Sequence, residues 1–526
     1  MNNISTTPIA SWTEPQQRSF SERYTEAASY SFVAAIISRL LTFLQPVILA
    51  RYLGKEFFGI FSIVMALAMM LTGFAAFGQT SALAKFLPEY LVKDRKRAAM
   101  VLVHCVLVAS TLALLVGVMF LFSAPLMARS IYHRPDLASY FRLAAAIVVA
   151  LSLFSVGTSM LMGFQSFDEY GRALIGQAAL QLAAVWVGVA FWGLTGALIG
   201  ITIGAAAGLG LVMQAGKDAI RKSGLSVRWK EWSWPVMREI LNFSVPAHLS
   251  GLVVAPAFWA ANTALAVKSG FAEVGLFNVA FVFWQLVLFV PQNLSVPALP
   301  FMSEMQATVN WERFSRAVSR NLRAMWAVAL PICFICSLLA RPVVHFLYGP
   351  QYAAAADLVL LITFAALWVV ISSAIGYAVA SLGKMWEALA LNSMWAVTML
   401  GLVLWWVGGR GSKGLAAAYF VSYLLFALVV WQYSERWLGV RYARTAGITL
   451  LTMGALVLAY GVSHSLATVG SCLVAALLAP FLIMSEWKWI LDENDRNLVR
   501  QAVARLGLAG KRWGRNKFGW NRCGSD

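Results

Sequence analysis

Five basic side chains lie within or beside long apolar stretches, where a charge needs compensation. Arg39 occupies the middle of the first stretch, and the others are Lys85, Arg142, Lys268 and Arg341. Acidic residues fall at the ends of these stretches or between them. Ionisable groups at membrane depth face the protein interior or a hydrated cavity, and arginine can bind phosphate through two parallel hydrogen bonds. The five basic residues therefore predict an electropositive cleft for a phosphate or pyrophosphate headgroup.

The five positions differ in how strongly they indicate a ligand. Arg39 lies about 11 residues from either end of its stretch, too deep for an incidental position. Arg142, Lys268 and Arg341 lie close enough to the ends of theirs to extend their charges to the surface. Lys85 follows the second stretch and can simply begin a basic loop. A structural role stays open for these four.

The composition requires a membrane environment for the elements that position these residues. The chain has 526 residues, of which 60% are hydrophobic and 12% charged, whereas soluble domains carry about 25% charged residues. A crossing helix needs about 20 apolar residues. We predict an all-α polytopic membrane protein of about 14 transmembrane helices, which cover residues 28–49, 57–77, 98–122, 137–162, 172–192, 195–215, 240–267, 274–300, 324–347, 356–382, 387–407, 414–433, 446–464 and 468–489.

A nine-residue pattern near the first apolar stretch returns in the second half of the chain. Residues 54–62 read Gly, four residues, Gly, a branched aliphatic residue, Phe and a small polar residue, and residues 270–278 repeat this order. Other landmarks recur at offsets of 216 to 218 positions: Pro125 with Pro342, Tyr132 with Tyr348, Gly193 with Gly411 and Gly196 with Gly414. Such self-similarity indicates an internal duplication. Six spans per copy predict two parallel six-helix lobes around a central cleft, with two extra helices at the carboxyl end.

The net charge of +18 does not indicate nucleic-acid binding, because the basic residues cluster in alternate loops. This distribution predicts that both termini are cytoplasmic. The predicted segments are a cytoplasmic amino-terminal segment (1–27), the N-lobe (28–215), a cytoplasmic linker (216–239), the C-lobe (240–435), spans 13 and 14 (436–490) and a basic, aromatic tail (491–526). We expect the tail to lie on anionic membrane lipids.

No catalytic motif, nucleotide-binding loop or metal-ligand cluster is recognisable. We therefore predict neither an enzyme nor a cofactor. Cys333 and Cys336 form a CxxC pair, but with no second pair nearby they indicate buried apolar residues.

Several short segments resemble a known family. Residues 48–54, 59–62 and 81–90 resemble the opening of bacterial oligosaccharide flippases, the Wzx-type O-antigen and exopolysaccharide translocases of the multidrug/oligosaccharidyl-lipid/polysaccharide exporter superfamily. In the second half, residues 242–246, 274–278 and 346–352 resemble the family's seventh-span entry, its Val-Gly-Leu-Tyr-Ser element and its Phe-Gly-x-x-Tyr element. The likeness extends over about residues 28–435. Where the family often has Asp-Arg in the seventh span, this chain has Ala261-Asn262.

The resemblance implies flipping of an undecaprenyl-pyrophosphate-linked oligosaccharide across the bacterial inner membrane by alternating access. A lipid-linked anionic oligosaccharide is then the expected substrate, and a polysaccharide polymerase and export machinery are expected partners. Sugar preference would come from polar and aromatic residues of the cavity. A multidrug antiporter of the same superfamily, and a membrane partner of a polysaccharide synthase that transports nothing itself, are the alternatives.

Overall fold

The computed structural model describes residues 20–227, 232–295, 302 and 311–439, with single positions between 447 and 496. These residues form helices and no strand. The helices are α1 (Phe20–Ala76), α2 (Gln79–Lys93), α3 (Arg95–Ser130), α4 (Ala138–Gly163), α5 (Phe167–Ser223), α6 (Trp234–Leu252), α7 (Val254–Ser269), α8 (Phe271–Leu294), α9 (Trp311–Leu338), α10 (Ala340–Tyr348), α11 (Ala353–Ser381) and α12 (Met385–Trp437). Short 3₁₀ turns at Pro135–Leu137 and Pro350–Tyr352 precede α4 and α11.

Eight helices of this part of the chain are long and apolar enough to cross a membrane. Helices α1, α5 and α12 have 57, 57 and 53 residues, so each would be about 80 Å long if straight. A bilayer core is about 30 Å thick, and each helix therefore provides two crossings. Non-helical backbone at Gly54, Gly193 and Gly411 separates the crossings. The all-helical polytopic prediction is confirmed.

The continuous part of the described structure ends at residue 439, after the twelfth predicted span. Spans 446–464 and 468–489 and the tail 491–526 lie outside the described residues, apart from isolated positions. Residues 1–19 of the amino-terminal segment and 228–231 of the linker also lie outside them.

The predicted duplication reappears in the backbone itself. Gly193 has φ 55° and ψ −134°, and Gly411 has φ 53° and ψ −136°. Left-handed backbone also occurs at three further pairs of positions 216 or 218 residues apart: Gly54 with Gly270, His133 with Gly349 and Gln165 with Gly383. Left-handed conformations are costly for residues with a side chain. Their recurrence at offsets of 216 to 218 residues shows that both copies bend the chain at the same places. We call helices α1 to α5 the first lobe and α6 to α12 the second lobe.

The two lobes meet in a reciprocal contact between α1 and α8. A Cβ atom added to Gly59 would lie 1.8 Å from the carbonyl oxygen of Phe271, and one added to Gly275 would lie 2.2 Å from that of Lys55. Gly59 and Gly275 are equivalent positions of the repeated pattern, and so are Lys55 and Phe271. Each lobe thus presents the same two positions of the repeat to the other. This is the contact expected of two parallel copies related by a two-fold axis.

Two predicted spans are interrupted in the structure. The span predicted at 240–267 is divided at Val253 into α6 and α7, and the span predicted at 324–347 is divided at Leu339 into α9 and α10. Each break precedes a proline by three residues, Pro256 and Pro342. Proline lacks the N–H that would bond the carbonyl four residues earlier, so the helix weakens there.

Replacing Gly59 by alanine should destabilise the protein because the new methyl group would displace the backbone of α8. We expect a loss of about 1–3 kcal/mol in the free energy of unfolding, as for other overpacked sites. Thermal unfolding in detergent measures it. Gly376→Ala is the matched control, since a Cβ there meets nothing within 4 Å. Equal stability of the two variants would show that the α1–α8 contact is looser than described.

Candidate functional site

Arg39 lies on α1 where the first lobe meets the second. Its Nη2 donates a 2.7 Å hydrogen bond to Oε1 of Gln285 on α8, and its guanidinium carbon lies 5.7 Å from the centre of the Phe289 ring. The side chain is half-buried. Both described partners are neutral, and no carboxylate among the described residues pairs with it. An arginine so placed keeps most of its five N–H donors for an anion.

Lys85 lies between the lobes as well, but near α6. Its Nζ is 3.9 Å from the centre of the Phe243 ring on α6 and 4.9 Å from that of Phe86. It belongs to α2, so it does not begin a loop as one interpretation of the sequence had it. Aromatic faces attract an ammonium group without neutralising it.

The other three predicted ligands lie elsewhere. Lys268 donates a 2.7 Å hydrogen bond to the carbonyl oxygen of Leu404, within the second lobe. Arg341 forms an ion pair of 3.6 Å with Asp357. Arg142 is exposed on α4. The described contacts bring no two of the five predicted residues together, and those of Arg39 and Lys85 reach the other lobe.

A chain of side-chain amides runs through the first lobe, and the sequence analysis did not single it out. Nε2 of Gln177 donates to Oε1 of Gln181 at 2.5 Å, and Nε2 of Gln181 donates to Oε1 of Gln45 at 2.7 Å. Gln45 belongs to α1 and the other two to α5. The signal available was the spacing of Gln177 and Gln181, one helical turn apart in an apolar span.

The second lobe has an aromatic cluster at the corresponding depth. Tyr419 of α12 lies 5.5 Å from Phe258 and 5.2 Å from Phe277, measured between ring centroids. Trp395 packs at 4.8 Å against Tyr423 and at 5.6 Å against Phe258. Tyr419 and Trp395 are almost completely buried. This part of the second lobe is a packed core.

Asn262 stands where the resembling family often has a charge. It is 8% exposed, donates to the carbonyl oxygen of Phe258 at 2.9 Å, and accepts from Asn278 at 3.3 Å. These bonds satisfy a buried neutral amide. No charged group acts at this position.

The end of the bundle that carries Gly54 and Gly270, here the Gly54 end, is closed by bonds between the lobes. Arg51 donates through Nε to the carbonyl oxygen of Leu347 at 2.6 Å and through Nη2 to that of Phe346. The Tyr352 hydroxyl donates to the carbonyl oxygen of Ala50 at 3.1 Å. Charged donors form stronger hydrogen bonds than neutral ones. Arg51 therefore holds α1 against the end of α10.

Two further interactions close the same end. Tyr132 and Thr263 share a buried 2.8 Å hydrogen bond between their hydroxyls. Arg134 pairs with Asp136 at 2.9 Å and Glu56 at 3.4 Å and lies 5.8 Å from the centre of the Phe271 ring. The two lobes are therefore held together at the Gly54 end.

Residues 25–306 match the model of a family described as polysaccharide biosynthesis protein. The chain belongs to this family. Among curated relatives, the EPS I polysaccharide export inner membrane protein EpsE of Ralstonia nicotianae is 26% identical over 443 residues, which cover 82% of this chain and 99% of EpsE. Stage V sporulation protein B of Bacillus subtilis is 24% identical over 157 residues, which cover 29% of this chain and 30% of the relative.

Two solved structures show the same fold. The lipid II flippase MurJ, in an inward closed conformation, superposes with a TM-score of 0.68 at 14% identity and covers 86% of this chain and 98% of its own. An inward-facing multidrug resistance MATE family transporter of the MOP superfamily superposes with a TM-score of 0.66 at 15% identity, covering 78% and 98%. At such identities the likeness establishes the architecture alone.

Removing the Arg51 side chain should open the Gly54 end. Each hydrogen bond from a charged donor contributes about 1.5–3 kcal/mol, so Arg51→Ala should raise the population of open molecules about tenfold or more. In a cysteine-free background carrying Thr263→Cys, the maleimide labelling rate of the solubilised protein reports this opening. Arg129→Ala, at an exposed position of α3, is the control. An unchanged labelling rate would show that Arg51 does not hold this end closed.

Proposed function

We propose that this protein flips a lipid-linked oligosaccharide across the inner membrane for the assembly of exopolysaccharide, O-antigen or capsule. Membership of the polysaccharide biosynthesis family and the similarity to EpsE proteins, which are named for polysaccharide export and the inner membrane, support this class of function. The fold shared with a lipid II flippase is compatible with it.

The observation that carries the proposal is the environment of Arg39. Its charge is half-buried between the lobes, and its described partners are an amide and an aromatic ring. A buried charge without a counter-ion is expensive, so an anion that enters the cleft would be stabilised there. We propose that this anion is the pyrophosphate of an undecaprenyl carrier, as the family resemblance implies.

The remaining predicted ligands support the proposal unequally. Lys85, which is exposed and faces the Phe243 ring on α6, is proposed as a second cation on the path of the headgroup. Arg142 is exposed and stays a candidate. Lys268 and Arg341 have partners in the second lobe, so they would contribute to the field of the cleft more than to direct binding.

The closed Gly54 end supports a mechanism of alternating access. Opening there would require that the Arg51 and Tyr132 hydrogen bonds break, while the opposite end closes around α2 and α6. A multidrug antiporter would share this architecture, and drug sensitivity of a deletion strain that keeps its surface polysaccharide would favour it. Normal flipping of lipid-linked repeat units in membrane vesicles of the deletion strain would favour a synthase partner that does not transport.

Substitution of Arg39 tests the proposed anion site. Arg39→Ala should abolish surface polysaccharide in a deletion strain although the protein still inserts, since removal of a mid-span arginine makes insertion about 2.5–3.5 kcal/mol more favourable. Arg39→Lys should keep part of the export because the charge remains while the planar fork is lost. The measurement is complementation, with the amount of protein in the membrane quantified in parallel.

Arg316→Ala is the matched control, because Arg316 is exposed and pairs at 3.5 Å with Glu312 on its own helix. It should export polysaccharide at the wild-type level. Wild-type export by Arg39→Ala would remove Arg39 from the substrate site and leave the proposed function without its main support.

The orientation in the membrane is also proposed, with both termini cytoplasmic and the Gly54 end facing the periplasm. Reporter fusions after Gly349 and after Glu435 should report the periplasm and the cytoplasm, respectively, since the basic connections are retained on the cytoplasmic side. Alkaline phosphatase and green fluorescent protein activities measure the two locations. A reversed result at either fusion would contradict the proposed topology.

A further inference from the structure

We propose that the amide chain of Gln45, Gln181 and Gln177 is the subsite that contacts the sugar hydroxyls of the translocated lipid. This inference rests on the proposed function and assigns the carbohydrate part of the substrate to the first lobe. Three glutamines along one path in an apolar bundle need an explanation, because each buried amide is costly unless its hydrogen bonds are made.

The chain of hydrogen bonds is directional and has two open ends. Gln177 donates to Gln181, which donates to Gln45. The amide nitrogen of Gln45 and the amide oxygen of Gln177 have no hydrogen-bond partner among the described residues. If all three amide orientations were reversed, the donor and acceptor ends would exchange places. Either way the chain offers a donor at one end and an acceptor at the other, as a hydroxyl group requires.

The amides face the interior of the lobe and remain accessible. Leu180, Trp186 and Val187 are about half-exposed and mark the outer face of α5, and helical geometry turns Gln177 and Gln181 away from that face. Both glutamines are nevertheless only half-buried. The absence of a side chain at Gly204 and Gly208 leaves room for the two glutamines. A Cβ added to Gly204 would lie 2.4 Å from Gln181, and one added to Gly208 would lie 2.5 Å from Gln177.

The positions of the second lobe that are equivalent to the three glutamines carry no amide. Gly196 packs against the carbonyl oxygen of Gly188, and Gly414 packs against that of Trp406. This fixes an offset of 218 residues between α5 and α12. At that offset Gln177 corresponds to Trp395, a buried member of the aromatic cluster.

The remaining equivalences agree. Gln181 corresponds to Met399, and, at the offset of 216 for α1, Gln45 corresponds to Ala261. Met399 and Ala261 are both completely buried. Packing therefore does not require an amide at these positions, and the difference between the lobes points to a ligand of the first lobe.

A polar stripe connects the amides to Arg39. Arg39, Thr42 and Gln45 follow one another at intervals of three residues on α1, so the stripe winds from the side facing α8 to the side facing α5. The Thr42 hydroxyl donates to the carbonyl oxygen of Arg39 at 3.0 Å. Arg39 and Gln45 are about 9 Å apart along the helix axis, which is room for a pyrophosphate followed by the first sugars.

The chemistry of the amides favours a neutral, hydroxyl-rich ligand. Amides both donate and accept hydrogen bonds, as sugars do, whereas a metal cation uses only oxygens and prefers carboxylates among them. No carboxylate belongs to the described hydrogen-bond chain. The sugar is therefore the part of the substrate that fits this site.

Gln181→Met tests the inference, because it installs the residue of the second lobe with almost unchanged volume. Binding of purified protein is measured with two probes, undecaprenyl pyrophosphate and the lipid-linked oligosaccharide extracted from a deletion strain. Wild-type protein should bind the extracted lipid about tenfold more tightly, the equivalent of one or two hydrogen bonds. The variant should lose this preference and keep its affinity for undecaprenyl pyrophosphate, whereas Arg39→Ala should lose affinity for both.

Leu180→Met, on the outer face of the same helix, is the control and should change neither affinity. If Gln181→Met does not fold, Gln177→Met at the open end of the amide chain replaces it. A retained preference, or an equal loss for both probes, overturns the inference. A variant that keeps the preference for the extracted lipid, but is no longer stabilised against unfolding by sodium ions, also overturns the inference. The amides would then bind a cation. If wild-type protein binds neither probe and so behaves like Arg39→Ala, the proposed function is overturned. This inference, which rests on it, is then overturned as well.

Discussion

The arrangement of the whole molecule depends on the absence of two side chains, at Gly59 and Gly275. Because neither position has a Cβ, α1 and α8 approach until each glycine meets a backbone carbonyl of the other lobe. That approach places Arg51 within reach of the carbonyls at the end of α10 and sets Arg39 against Gln285. In a membrane, where apolar side chains gain little by leaving lipid, close packing at small residues is a main source of helix association. The closed end and the candidate anion site both follow from it.

The same geometry distinguishes the basic residues from one another. Arg341 and Arg134 have carboxylates beside them, and Lys268 bonds a helix carbonyl, so these charges are compensated by their own surroundings. Arg39 has an amide and an aromatic partner at a contact between lobes, whereas Lys85 is exposed, faces the Phe243 ring and has Glu89 one turn away on its own helix. Partners, and not depth in the apolar stretch alone, decide which cation has unused capacity for a ligand.

The sequence was sufficient for the architecture but insufficient for the site. Long apolar runs fix helices through the need to satisfy backbone groups internally, and glycines at constant offsets revealed the repeat, as Gly193 and Gly411 then confirmed. The breaks at Val253 and Leu339 follow from prolines three residues later, yet Pro125 interrupts no helix, so proline alone did not predict them. Gln45 was missed because its partner Gln181 is 136 positions away, and no periodicity within one helix reports a contact between helices.

The reciprocal glycine contact has the arrangement of a symmetric dimer interface, here formed within one chain. In a homodimer of identical six-helix subunits, any amide placed on one side would appear on the other, and so would any tryptophan. Fusion of two copies removes that restriction. Gln177 and Trp395 occupy equivalent places with different chemistry, an amide bonded to its neighbour in the first lobe and a buried aromatic ring in the second. The joined chain can thus present different chemistry on its two sides, which a symmetric dimer cannot do.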